Sequence, residues 1–233
     1  MEGMTNPAVN PEARRISLSE VRSNPKVRTL IDGANSVMQA MGYTEHGHRH
    51  VGIVSSITRY IMENLGEEAR ECELAQIAGY LHDIGNVINR VDHPISGANM
   101  AFTILNEMGM PPDELAPILG AIGNHEELVG MPISNMSAAL IIADKSDVHR
   151  SRVQNPIMEN FDIHDRVNYA VERSRVEMDP ANKLITLTLE IDTQVATVME
   201  YFEIFLSRMI MCRKSADLFG YTFSLQVNGV RLE

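Results

Sequence analysis

Residues 74 to 86 read LAQIAGYLHDIGN. Leu74, Ile77, Ala78 and Leu81 fall at helical spacing on one face. His82 follows them by eight, five, four and one positions, so it points inward with them, and Asp83 comes next. An imidazole and a carboxylate thus close a helix where more core is expected. This pair constrains the fold more than any other feature, because a buried ionised carboxylate is costly unless it is paired or bound to metal. Taken alone, a capping pair or a core histidine satisfied by its neighbours explains it as well as a metal site does.

Three other positions repeat the pattern. His50 is followed at helical spacing by Val54, Ile57 and Ile61, and His125 follows Ile118, Ala121 and Ile122. Asp144 follows Leu140 and Ile141 and precedes Val148, which aims a carboxylate inward from an apolar helix. Histidines and an aspartate on the inward faces of four helices are explained together by one metal site. Neutral imidazole and carboxylate suit divalent first-row metals.

The surrounding chain reads as helices and loops to about Ser174. Ser17-Leu18-Ser19-Glu20 is a capping box, and Pro25 suits the first turn of a helix running to about Met41. Further helices are expected over 48–65, 67–82, 96–108, 113–124, 135–150 and 163–174. The start, to about residue 15, is Pro/Asn-rich and expected to be poorly ordered. After Ser174 the period changes. Ile185, Leu187, Leu189 and Ile191 alternate with Thr186, Thr188 and Glu190, as in a half-buried strand. Residues 175–178 are expected to pair with it across Asp179-Pro180-Ala181-Asn182, a helix to cover 193–219, and an alternating strand to follow from Tyr221 to Val227. The expected fold is mainly α, a helical bundle with a small antiparallel C-terminal β-β-α-β appendage. It divides into a partly ordered 1–28, a helical 29–174 and an appended 175–233. The appendage carries no ligand candidate and reads as a packing or homodimerisation element.

Composition excludes several classes. A net charge of −11 over 233 residues, with no basic stripe, argues against binding a nucleic-acid duplex. A local positive pocket for a small phosphorylated ligand stays open. Cys72 and Cys212 are isolated, without zinc-site or disulfide spacing. No apolar run reaches the roughly 18 residues of a membrane span, and the first residues hold no apolar signal core. A cytoplasmic, reduced location is expected.

His50…His82-Asp83…Asp144 resembles the metal signature of the HD-domain phosphohydrolase superfamily. HVGIVSSI is similar to that family's first metal helix, with His50 rather than His46 or His48 in register, LHDIGN to its second motif, and IIADKSD to its last. The likeness spans about residues 30 to 155. It implies an all-α HD domain with these four side chains on one divalent ion. HPISGANM and AIGNHEELVGMP resemble branches with two metals, the HD-GYP phosphodiesterases and the hydrolases of symmetrical dinucleoside polyphosphates. By that likeness His93 and His125 hold a second ion, with Asp83 bridging. The GYP triplet is missing, and the paired HHE of that branch is here Asn124-His125-Glu126. Motif order sits nearer the dinucleoside-polyphosphate branch.

The resemblance implies a metal-dependent phosphohydrolase acting on a phosphate ester or nucleotide-type small molecule through activated water, with one or two ions of Mn, Fe, Mg, Ni or Zn. Asp83 and Asp144 serve catalysis as ligands. Lys145, with Arg150, either neutralises substrate phosphate or pairs at the surface with Asp147. Glu126 orients a ligand or caps a helix, His46 and His48 support the site or face solvent, and His149 and His164 are surface residues. Two alternatives share the ligand set: a di-iron oxygenase, and a nucleotide-binding sensory module without turnover.

Overall fold

Capping chemistry sets the first helices. The computed structural model describes residues 14–232, so most of the N-terminal stretch expected to be poorly ordered lies outside the described residues. Ser17 and Glu20 close the expected capping box at the start of α1 (Leu18–Ser23), and Asn24 caps α2 (Pro25–Ala40), which Pro25 opens. Helix α3 (His48–Leu65) ends at Gly66, whose φ of +83° is the left-handed conformation glycine adopts without a Cβ penalty. Then come α4 (Ala69–Leu81), a single 3-10 turn (Ile84–Val87), α5 (His93–Glu107), α6 (Pro112–Gly123), α7 (Asn135–Ser146) and α8 (Ile163–Ala170).

Four helix boundaries depart from expectation, one of them in the last helix, which starts at Val198 rather than at residue 193. Helix α5 starts at His93, three residues early, because Pro94 in its first turn lacks an N–H that no carbonyl there needs. Helix α7 stops at Ser146, where Asp147 leaves helical space with ψ 74°. Helix α8 stops at Ala170, and residues 171–174, expected to be helical, begin strand β1 (Val171–Asp179). Val171 is β-branched and pairs with Ile191, so ladder pairing overrides the short helical pattern.

Strand β1 pairs antiparallel with β2 (Leu184–Ile191), as expected, around the Pro180 turn. Helix α9 (Val198–Leu218) then crosses over to β3 (Thr222–Val227), which lies parallel to β2, Leu184 opposite Thr222. The expected all-antiparallel sheet is therefore corrected to a mixed one. A strand returning through a helical crossover arrives in the same direction as the one it left. A short β4 (Val230–Leu232) adds to β3 after Asn228-Gly229, both at positive φ. On β2 the buried Ile185, Leu187, Leu189 and Ile191 form the apolar face that the alternation predicts.

Helix α3 packs against α4 and α7, α7 against α9, and α9 against β3, so one apolar core runs from Ile16 to Val227. The sheet is tied to the helices by Ser174 Oγ, which donates to the Ser146 carbonyl at 2.5 Å, and by Met178 N–H, which donates to Tyr60 Oη at 3.1 Å. Among the described residues no helix is long and apolar enough to cross a membrane.

Candidate metal centre

The six expected ligands meet at one place. His50 lies in the first turn of α3, His82 caps α4, Asp83 follows it, His93 opens α5, His125 sits just past α6 and Asp144 lies in the last turn of α7. The four histidines and Asp83 are each no more than 2% exposed. Gly85 makes the convergence possible. A Cβ there would come within 2.0 Å of the His93 carbonyl oxygen, so only glycine lets the turn after Asp83 lie against the start of α5.

Three overlapping groupings result, His50–His82–Asp83, His82–His125–Asp144 and Asp83–His93–His125, and they resolve into two donor sets that share Asp83. In the first, His50 Nε2 lies 3.3 Å from His82 Nε2, 3.4 Å from Asp83 Oδ2 and 3.4 Å from Asp144 Oδ1. His82 Nε2 lies 3.3 Å from Asp83 Oδ2 and 3.6 Å from Asp144 Oδ1. In the second, His93 Nε2 lies 3.0 Å from His125 Nε2 and 3.4 Å from Asp83 Oδ1, which is 3.9 Å from His125 Nε2. Asp83 thus shows one oxygen to each set.

The ring tautomers favour a cation. His50 Nδ1 donates to Asp147 Oδ2 at 2.7 Å, and the Nδ1 atoms of His82, His93 and His125 donate to the carbonyls of Gly79, Arg90 and Ile122 at 2.9, 2.9 and 2.6 Å. In a neutral ring that fixes Nε2 as the acceptor. Facing Nε2 atoms then oppose lone pair to lone pair, beside carboxylate oxygens. Asp83 Oδ2 is buried and accepts no hydrogen bond. Buried polar atoms are almost always satisfied, so this oxygen is short of a cation. The residues present therefore fit a divalent ion in each set.

Charge follows the same division. Without a metal, burial and Arg152 both oppose protonation of His50, but the neighbouring carboxylates of Asp144, Asp147 and Asp83 outweigh them and raise its pKa to about 9. Burial also opposes charge on His82, and the carboxylates of Asp83 and Asp144 beside it raise it to about 10. Burial pushes Asp83 and Asp144 up, yet His82 beside Asp83 and Lys145 beside Asp144 lead the groups that hold both carboxyls well below the usual range. Burial lowers His93 to about 4 and takes His125 well below its ordinary value, so that pair is neutral.

Several supporting side chains escaped the sequence reading. Asn86 donates to Asp83 Oδ1 at 2.8 Å and fixes the carboxylate plane, a partner three residues away inside the quoted LHDIGN. Arg90 Nη1 lies 3.3 Å from His93 Nε2, and its Nη2 donates to Glu126 Oε2 at 2.7 Å. Glu126 is therefore Arg90's partner and lies 3.7 Å from His93 Nε2 through Oε2, beside a candidate ligand rather than at a helix cap. Lys145 corrects a second expectation. It is buried at 2% exposure rather than paired at the surface, its Nζ 2.8 Å from Asp144 Oδ2 and 2.6 Å from Glu127 Oε2. Asp147 instead takes His50, Arg49 and Arg152, and Arg150 pairs with Glu172. Of the neighbouring histidines, His46 is buried, its ring centroid 5.5 Å from that of His50, while His48 is half exposed beside Asp32. His149 and His164 stand outside the cluster; His149 Nε2 reaches only the Glu172 carbonyl, and His164 is exposed.

Residues 47–149, the span carrying His50, His82, Asp83, His93, His125 and Asp144, match the model of the HD domain. An uncharacterised protein of Methanocaldococcus jannaschii is 26% identical over 182 residues, 68% of this chain and 70% of that one. A solved structure from an uncultured Thermotogales bacterium, described as a predicted HD superfamily hydrolase, is 25% identical, covers 57% of this chain and 75% of its own, and has a TM-score of 0.43. One from Lactobacillus plantarum is 17% identical and covers 84% and 89%, also with a TM-score of 0.43. The likeness rests on the matched span, which is under half of the chain, and on what that span carries: it is residues 47–149 that match the HD domain.

Proposed function

We propose that this protein is a metal-dependent phosphohydrolase, acting on a phosphate ester or nucleotide-type small molecule through activated water. One observation carries the reading: two adjoining nitrogen and oxygen donor sets share Asp83, each through a different oxygen. A divalent ion bound there polarises a phosphoryl oxygen and lowers the pKa of water toward neutrality.

The chain's own side chains divide the remaining work. His50, His82, Asp83 and Asp144 would hold one ion, and Asp83, His93 and His125 a second. Asn86 fixes the rotation of Asp83, so both its oxygens keep their directions. Lys145 takes Asp144 Oδ2 and leaves Oδ1 to the cluster. It is a positioning residue rather than a contact to substrate phosphate, since Asp144 and Glu127 occupy its ammonium. Asp147 keeps His50 in the tautomer that presents Nε2.

The test is a screen of nucleotides, dinucleotides and sugar phosphates with Mn²⁺, Mg²⁺, Ni²⁺ and Fe²⁺, alongside elemental analysis. Wild type is expected to retain metal and release phosphate or nucleotide from at least one class. His82→Ala and Asp83→Ala are expected to lose both properties. Wild-type turnover in either mutant, with its helicity intact, would overturn the assignment, as would a metal-replete wild type inert toward every class.

A further inference from the structure

A cavity of about 340 Å³ adjoins the metal centre. Two of its lining residues touch the cluster: His46 lies against His50, and Arg90 lies 3.3 Å from His93 Nε2. Of its eleven lining residues, only Arg90 falls within residues 47–149. The others come from the connection between α2 and α3, from the start of α8 and from α9. What this cavity binds is thus decided almost wholly by chain outside the HD match.

We propose that this cavity is the substrate pocket, that Arg90 and Arg208 together take the substrate's phosphate, and that the substrate is a monophosphate of one nucleoside or sugar. The inference rests on the hydrolase reading and adds a substrate class and a second source of residues to it.

Arg208 is the less obvious member. It projects from α9, in the appendage that the sequence reads as a packing or homodimerisation element. Its guanidinium carbon lies 4.5 Å from the centre of the buried Phe205 ring, and its Nε lies 3.3 Å from Glu127 Oε1. Both terminal amino groups are left without a hydrogen-bond partner among the described residues. A guanidinium held at its stem with its fork free is suited to bidentate phosphate binding. Arg90 stands at the metal end, anchored by Glu126. In a chain of net charge −11, two guanidiniums lining one cavity make a local exception that selects an anion.

The rest of the pocket describes the remainder of the ligand. Asp162 and His164 are exposed at the start of α8, opposite in character to the arginines and suited to hydroxyl groups. Tyr43 and Phe205 add aromatic wall. The volume lies at the small end of the roughly 300–1,000 Å³ of ligand pockets, which suits one nucleoside or sugar phosphate rather than a dinucleotide.

Titration calorimetry on the full chain, metal content verified, tests this with inorganic phosphate, 5′-AMP and diadenosine tetraphosphate. Arg208→Ala, compared with wild type at equal bound metal, is expected to weaken phosphate and 5′-AMP alike by at least about tenfold, in line with loss of a charge-assisted pair. Arg208→Lys, which keeps stem and charge, is expected to recover part of that loss. Asp162→Asn, an equally good helix cap, is expected to weaken 5′-AMP severalfold and leave phosphate untouched. Wild-type affinity for both ligands in Arg208→Ala, equal losses for both in Asp162→Asn, or tighter binding of diadenosine tetraphosphate than of 5′-AMP overturns the pocket assignment alone. A metal-loaded wild type that binds none of the three overturns the hydrolase reading along with it.

Discussion

Asp147→Asn probes the metal centre without touching a ligand. Asp147 Oδ2 accepts the Nδ1 proton of His50 at 2.7 Å, and both residues are buried. Burial pushes the Asp147 carboxyl up, but the hydrogen bond from His50 and the charges of Arg152, His50 and Arg49 outweigh it and keep the group ionised. Its charge makes His50 Nε2 a stronger donor toward the site. Asparagine keeps the volume and one acceptor oxygen but removes that charge. Replacing such a partner of a metal-binding histidine costs roughly 10- to 100-fold in metal affinity, or about 1.4–2.7 kcal/mol. The fold should survive, because Arg152 still donates to the backbone carbonyls of Glu45 and Asp147. Arg49→Ala is the control. It removes an ion pair to the same carboxylate, but Arg49 is 31% exposed, and such partly solvated pairs contribute at most about 1 kcal/mol. Competition against a chelating dye reads the affinity, with circular dichroism to verify the fold. Unchanged affinity in well-folded Asp147→Asn, or an equal loss in Arg49→Ala, would refute the coupling through His50.

The double change His93→Ala, His125→Ala should take bound metal from about two ions per chain to about one and slow turnover by at least about a hundredfold, leaving the His50 set loaded; elemental analysis reads it, and an unchanged metal count contradicts the second donor set. In metal-free protein, His50 and His82 titrate at about 9 and about 10, above the ordinary 6.5, so their stabilisation is complete below about pH 6.5 and lost as pH rises through 9 to 10. Thermal melts with chelator should therefore fall across that upper window while metal-loaded protein holds, and a flat metal-free curve there would count against a protonated His50–His82 pair.

The candidate ligands His50, His82, His125 and Asp144 were legible because each sits beside apolar residues at helical spacing, so its inward direction follows from the backbone alone, and Asp83 because it adjoins His82. His93 was the exception. No stripe announces it, and only its resemblance to a family motif marked it, while its burial at 1% comes from Gly85 bringing two chain segments together. Lys145 was misread for a general reason: lysine is almost never fully buried unless paired, and its second partner, Glu127, comes from a loop with no pattern of its own. Residues 171–174 depart from the helical expectation because a four-residue stretch takes its conformation from what it pairs with, here residues of β2 from 15 (Ser174–Leu189) to 20 (Val171–Ile191) positions downstream. The parallel join of β2 to β3 was hidden likewise, since alternation marks a strand but not the direction of its neighbour.

The C-terminal part is the clearest case of chemistry that periodicity cannot show. Arg208 lies on a helix whose apolar residues explain its packing, and nothing in the spacing sets that arginine apart from an exposed one. Its importance comes from what α9 packs against. Helix α9 lies on α7, whose last turns hold Asp144 and Lys145, and Glu127 joins Lys145 to Arg208 across that contact. A buried ammonium between two carboxylates is stable only while both remain placed; removing one partner of such a group costs about 3–5 kcal/mol. Arg208 helps hold Glu127 well below the usual carboxylate range, after the larger effect of Lys145 and against burial. The ionic chain from Arg208 through Glu127 and Lys145 to Asp144 therefore makes the position of α9 a condition on the geometry of the metal centre. The HD match ends at residue 149, but the structure that holds Asp144 in place continues to α9.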